Sequence, residues 1–142
     1  MPDAITDASG KRSAPPTEFG VLGELYGATF TIGTEASNAI NVVIQLTDFT
    51  GADLATRASI YAYLSDDAEG DDLTGTVVTT ETAIGTDGVL DIVTTKKSYM
   101  LTSESDGDID IDITQTAAQN YYLVLVMPNG SLAVSGIIAH AG

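Results

Sequence analysis

Residues 108–113 read Asp108-Ile109-Asp110-Ile111-Asp112-Ile113, an acid followed by a β-branched apolar residue three times over. Successive side chains of an extended strand point to opposite faces, so the isoleucines share one face and the aspartates the other. The isoleucines are expected to face a core and the aspartates to face water or a neighbouring segment. A slip of one residue would bury the carboxylates, which fixes the register of this strand. The same period of two extends outward along the chain. In residues 40–46, Ile40, Val42, Ile44 and Leu46 fall on one face and Asn41 and Gln45 on the other. In residues 58–65 the apolar face is Ile60, Ala62 and Leu64, with Ser59, Tyr61, Tyr63 and Ser65 opposite.

Further strands are expected at 28–33, 76–84, 89–94, 98–103, 121–127 and 132–139, all rich in β-branched or aromatic residues. Turn residues divide them: Thr50-Gly51, the acidic run from Asp66 to Gly70, Asp87-Gly88, Asp106-Gly107 and Pro128-Asn129-Gly130. Residues 121–127 are apolar at every position, as suits the middle of a sheet covered on both faces. One helical turn is expected at 116–119, around Ala117-Ala118. Many short strands separated by Gly, Asp and Pro turns define an all-β chain, an antiparallel sandwich or barrel.

The chain has 142 residues, enough for one domain with a full core, and no cysteine, so neither disulfides nor thiolate metal sites contribute. Twenty Asp and Glu against five Lys and Arg give a formal charge of −15. Such a charge repels phosphate backbones and anionic lipid, so neither nucleic acid nor a membrane surface is an expected partner. The longest apolar run is far shorter than the roughly 20 residues of a spanning helix. Residues 1–20 are polar, contain Pro15-Pro16 and lack the apolar centre of a signal peptide, so they are expected to form an extended N-terminal arm ahead of a body at 21–142. Either a surface outside the domain or the domain itself would hold that arm.

Each candidate chemical group has a plainer alternative. His140 is the only histidine; it follows an apolar strand near the end of the sequence, where a solvent-exposed or crevice-filling role is expected. With no Gly-x-Ser-x-Gly elbow and no phosphate-cradling glycine loop, catalysis and cofactor binding are not expected. The loop carrying Asp66, Asp67, Glu69, Asp71 and Asp72 offers oxygen ligands to Ca²⁺, without EF-hand spacing; a solvated acidic loop is the plainer reading. Asp108, Asp110 and Asp112 stand roughly 6.6–7 Å apart along a strand, too far to close on an ion alone, and are expected to form a charged outer face. Tyr61 and Tyr63 can stack on sugars, anchor an interface or cap a second apolar layer. Pro15, Pro16, Phe19, Leu22, Leu25 and Tyr26 form the best detachable apolar hook, or else a first strand or short helix on the chain's own core.

Two stretches carry a family resemblance. Residues 40–65, with the Asp48-Phe49-Thr50-Gly51 turn between strands, resemble the strand, turn, strand unit of bacterial and phage immunoglobulin-like domains of the invasin type. Residues 87–114 resemble their later half, an Asp-Gly turn opening VLDIVTT and a second opening DIDIDIT. The proline that often follows the first turn in such domains is replaced here by Ala52-Asp53-Leu54. The segments GTDGVLDIVT and YYLVLVMPNG, with the length and acidity, also make the chain similar to the small virion proteins of tailed bacteriophages, including head decoration or cement proteins. That resemblance implies an antiparallel immunoglobulin-like β-sandwich on the outer surface of the capsid, bound to the major capsid protein lattice, with a homotrimer at a lattice three-fold as the first assembly to test. The alternative it leaves open is a head or tail fibre domain that binds host-surface glycans.

Overall fold

The computed structural model describes residues 23–142. Ten strands run β1 Gly27–Ile32, β2 Ala39–Thr47, β3 Ser59–Ser65, β4 Thr80–Ile84, β5 Val89–Thr94, β6 Ser98–Thr102, β7 Asp108–Thr114, β8 Ala118–Val126, β9 Leu132–Val134 and β10 Ile138–Ala141. They form two antiparallel sheets. One has the order β1-β2-β7-β4; the other has β10-β8-β3-β6-β5, with β9 also paired to β8. The sheets enclose a single apolar core, so the chain is a β-sandwich.

The core follows from the alternation. Ile40, Val42, Ile44 and Leu46 of β2 meet Ile109, Ile111 and Ile113 of β7 across the ladder, with Ile40 opposite Ile113 and Ile44 opposite Ile109. The facing sheet supplies Ile60, Ala62 and Leu64 of β3, Tyr99 and Leu101 of β6, and Tyr121, Leu123 and Leu125 of β8, all buried. Each such leucine or isoleucine contributes roughly 1.5–3 kcal/mol of transfer free energy, so these two faces dominate stability. Loop residues Leu54 and Val78 are buried with them. Two buried hydroxyls are paired inside this core: Tyr99 Oη donates to Thr82 Oγ1 at 2.9 Å, and Gln115 Nε2 donates to Tyr121 Oη at 2.7 Å. As expected for a segment covered on both faces, β8 lies inside its sheet and its outward-facing Val124 is also buried.

Three expectations need correction. The strand expected at 132–139 is two strands, because Ser135 breaks it: its Oγ accepts from Leu123 N–H at 2.9 Å, and residues 135–137 lie outside both strands before β10 begins. The strand expected from 76 begins at Thr80, since the segment before it drops Val78 into the core instead of joining the ladder. No helical turn forms at 116–119; Ala118 and Gln119 pair with Ala141 and His140 of β10, and that pairing outweighs the helix propensity of Ala117-Ala118. Pairing is irregular at two further places, between Ile92 and Thr94 of β5 and between Thr80 and Ala83 of β4.

Candidate binding surface

The sandwich has two outer faces of different chemistry. On the β1-β2-β7-β4 sheet the outward residues of the central ladder are mostly polar, with Asn41 opposite Asp112, Gln45 opposite Asp108 and the half-buried Val43 opposite Asp110. Asp110 does not face water as its neighbours do. Only 9% exposed, it lies beneath the turn after β4. Its Oδ1 accepts from the backbone N–H groups of Thr86 and Asp87, both at 2.7 Å, and its Oδ2 accepts from Asn41 Nδ2 at 3.1 Å. Gly85 permits this approach: a Cβ there would stand 2.3 Å from Asp110 Oδ2. Desolvation pushes the Asp110 carboxyl upward, but the donors from Asp87, Thr86 and Asn41 outweigh it and hold the group below its ordinary range. Asp108 moves the other way, raised by desolvation and by the nearby charge of Asp87. The expected charged outer face is therefore interrupted by a structural anion, and the neighbour alternative holds for Asp110.

The outer face of the other sheet is apolar. Tyr61 pairs across the ladder with Met100 on one side and Val126 on the other, and Val126 pairs with Leu132. Four side chains thus form one row across β6, β3, β8 and β9, roughly 14 Å from end to end at the usual strand spacing. Met100 and Leu132 are exposed, and Asp91 continues the row at the β5 border. Tyr63 lies beside Tyr61, with ring centroids 5.9 Å apart and planes inclined by 41°. This row was not visible in the sequence, because Met100 and Leu132 meet Tyr61 and Val126 only through the strand order.

The acidic loop folds over one end of this face. Gly70, with φ +73°, sits so close to β8 that a Cβ would lie 2.8 Å from Val124 Cγ2, and Tyr63 Oη donates to the Gly70 carbonyl. Tyr61, Tyr63, Asp71, Asp72 and Leu73 line an open hollow of about 190 Å³ between the loop and the sheet. Of the five expected calcium ligands, Asp67, Asp71 and Asp72 come together, with one carboxylate oxygen from each within 4.8 Å of the others. Asp66 is turned to its own loop, accepting from Thr74 Oγ1 at 2.5 Å and from Gly75 N–H at 3.0 Å. A hydrogen bond to Asp67, reinforced by its like charge, raises Asp71 and Glu69, whereas Asp67 is lowered chiefly by its bond with Glu69.

His140 is not exposed as one of its expected roles required. It is 3% exposed, edge-on to Tyr121, and its Nε2 lies 3.0 Å from the Ile113 carbonyl oxygen, which places a proton on Nε2. It joins β10 to the other sheet, a structural role. Of the apolar hook, Leu25 packs against the chain's own core, and Tyr26 is 44% exposed with its ring edge-on to Phe49. The arm at 1–20, with Pro15, Pro16 and Phe19, and Leu22 after it, lies outside the described residues. No protein-family model matches the chain, and no curated protein matches it.

Proposed function

We propose that the chain is a non-enzymatic structural protein of a tailed-phage virion, a capsid decoration or cement protein of immunoglobulin-like type that binds and stabilises the assembled head. The observation that carries this reading is the one-sidedness of the body. A Tyr, Met, Val and Leu row occupies one broad face, and the central ladder of the opposite sheet carries Asp, Asn and Gln around a single half-buried Val43. A module of this kind can lie on a protein surface by its apolar face and keep its acidic face toward solvent. Binding the assembled lattice but not free subunits stabilises the lattice by mass action, without chemistry. The arm at 1–20 adds contact area across neighbouring subunits, and a homotrimer at a three-fold lets three faces bind together.

The test is co-sedimentation of the purified chain with heads assembled from the major capsid protein of the same genome. Saturable retention at a stoichiometry fixed by the lattice, with heads more resistant to heat, is expected; no retention refutes the proposal. Removing residues 1–18 should weaken retention without unfolding the body. One observation favours a second reading. Paired tyrosine rings beside carboxylates, as at Tyr61, Tyr63, Asp71 and Asp72, also suit sugar stacking in a fibre domain. Saturable binding on a glycan array, abolished by Tyr61→Leu, would favour that reading over attachment to the head.

A further inference from the structure

We infer that the hollow between Tyr61, Tyr63 and the acidic loop receives an arginine side chain from the partner protein against which the apolar face docks. The inference rests on the docking reading above and specifies its chemistry.

Two features of the hollow select a cation with a flat, weakly hydrated head. Its floor is aromatic: the Tyr61 and Tyr63 rings lie 5.9 Å apart and inclined by 41°, open to the exterior. A guanidinium stacks on such a face through the ring quadrupole and its own delocalised plane, which a compact ammonium does less well. Its rim is anionic, with Asp71 and Asp72 lining the same space. Asp72 Oδ1 accepts from Ser65 Oγ at 2.8 Å, which fixes that carboxylate in place. The planar fork of arginine donors reaches such carboxylates while its stem lies along Leu73.

The unmet demand for positive charge is local as well as global. A hydrogen bond to Asp67, reinforced by its like charge, raises Asp71, so a cation placed here meets carboxylates already crowded together. Of the five basic residues Lys11 and Arg12 precede the described residues, and Arg57, Lys96 and Lys97 are the described ones. Arg57 donates to the Ser103 carbonyl at 3.2 Å and Lys96 to the Thr79 carbonyl at 3.0 Å. Charge complementarity at this hollow therefore points to a basic segment of the docked partner rather than to the acidic face of a second copy.

The experiment is a ¹⁵N and aromatic ¹³C NMR titration of the full chain with N-acetyl-arginine amide, run beside N-acetyl-lysine amide, choline and calcium chloride. Saturable shifts centred on Tyr61, Tyr63, Asp71, Asp72 and Leu73 are expected with arginine, weakened by salt. Affinity should fall about tenfold in Asp71→Asn and in Tyr61→Leu, the loss of one charged or stacking contact. Both side chains are on the surface, and unchanged amide spectra elsewhere verify folding. Absence of shifts, equal or tighter binding of lysine or choline, or arginine binding untouched by Tyr61→Leu overturns the inference. So does calcium binding at Asp67, Asp71 and Asp72 that displaces arginine without moving the Tyr61 and Tyr63 signals. Failure here with retention on heads intact removes the arginine cradle and leaves the docking proposal standing; arginine binding without retention on heads removes the docking proposal, and with it the partner assigned to the hollow, and leaves only the cation-binding hollow.

Discussion

Replacing Asp110 with alanine tests whether the outward face of β7 is held by a buried anion. In the native chain this carboxylate takes the Thr86 and Asp87 N–H groups at 2.7 Å and the Asn41 amide at 3.1 Å. Hydrogen bonds to a charged group contribute roughly 1.5–3 kcal/mol each net, but the side chain borders solvent and water can replace part of the loss. The expected cost of Asp110→Ala is therefore about 3 kcal/mol, a large share of the roughly 5–15 kcal/mol that holds a domain together. Urea unfolding measures it directly, and with a slope near 1.5 kcal/mol per molar the midpoint should fall by about 2 M. Asp112→Ala is the control: it lies on the same face, is more exposed and accepts from Asn41 Nδ2 at 2.8 Å, so it should cost under about 1 kcal/mol. Asp110 is lowered relative to the unfolded chain, so its contribution is complete above the unfolded value near 3.9 and is lost as pH falls through the folded value. The gap between the two proteins should accordingly narrow as pH falls below that unfolded value. A penalty below about 0.5 kcal/mol at neutral pH, or one equally large in strong acid, would refute the reasoning.

Three further outcomes follow from the same geometry. Wild-type stability should rise from neutral pH toward about pH 5 and then fall below about pH 4: Asp108, Glu69 and Asp71 are raised and take up protons first in the folded state, whereas Asp48 and Asp110 are lowered and lose their stabilising charge later. Unfolding midpoints at three pH values measure this, and a monotonic decline from neutrality would contradict it. Gly85→Ala should cost about 1–3 kcal/mol because its Cβ would stand 2.3 Å from Asp110 Oδ2, and most of that cost should vanish in the Asp110→Ala background; a double-mutant cycle showing simple additivity would count against the contact. Tyr99→Phe should lose about 1 kcal/mol, since the buried Thr82 hydroxyl is then left without its donor, and calorimetry would reveal an unchanged midpoint if the bond were idle.

Much of the sandwich was legible in the chain because its central strands are strictly two-sided. In β2, β3 and β7 every second residue is apolar and buried, and only Thr47, Ser65 and Asp110 are buried outside that pattern. What escaped depended on segments distant in sequence. Nothing in residues 108–113 distinguishes Asp110 from Asp108 and Asp112; the turn 23 to 25 residues earlier does so by closing over one carboxylate. The apolar and β-branched residues of 132–139 likewise hide the effect of Ser135, whose hydroxyl intervenes in the ladder of another strand. His140 looked peripheral by position, yet Ile113, 27 residues away, holds it inside. For the binding surface, Tyr61 and Tyr63 were readable as sharing a face, and Asp71 and Asp72 as acidic. Their convergence on one hollow depends on Gly70 bringing the loop down onto Val124.

The break between β9 and β10 at Ser135 also shortens the border of the larger sheet. Along one border of the larger sheet, β8 is flanked by a three-residue and a four-residue strand set out of line, and the opposite border at β5 is broken by irregular pairing before Thr94. Neither border offers a long, straight row of free amides and carbonyls for a stranger's backbone to extend. Neighbouring molecules can then touch through side chains at these borders without their larger sheets fusing into ribbons.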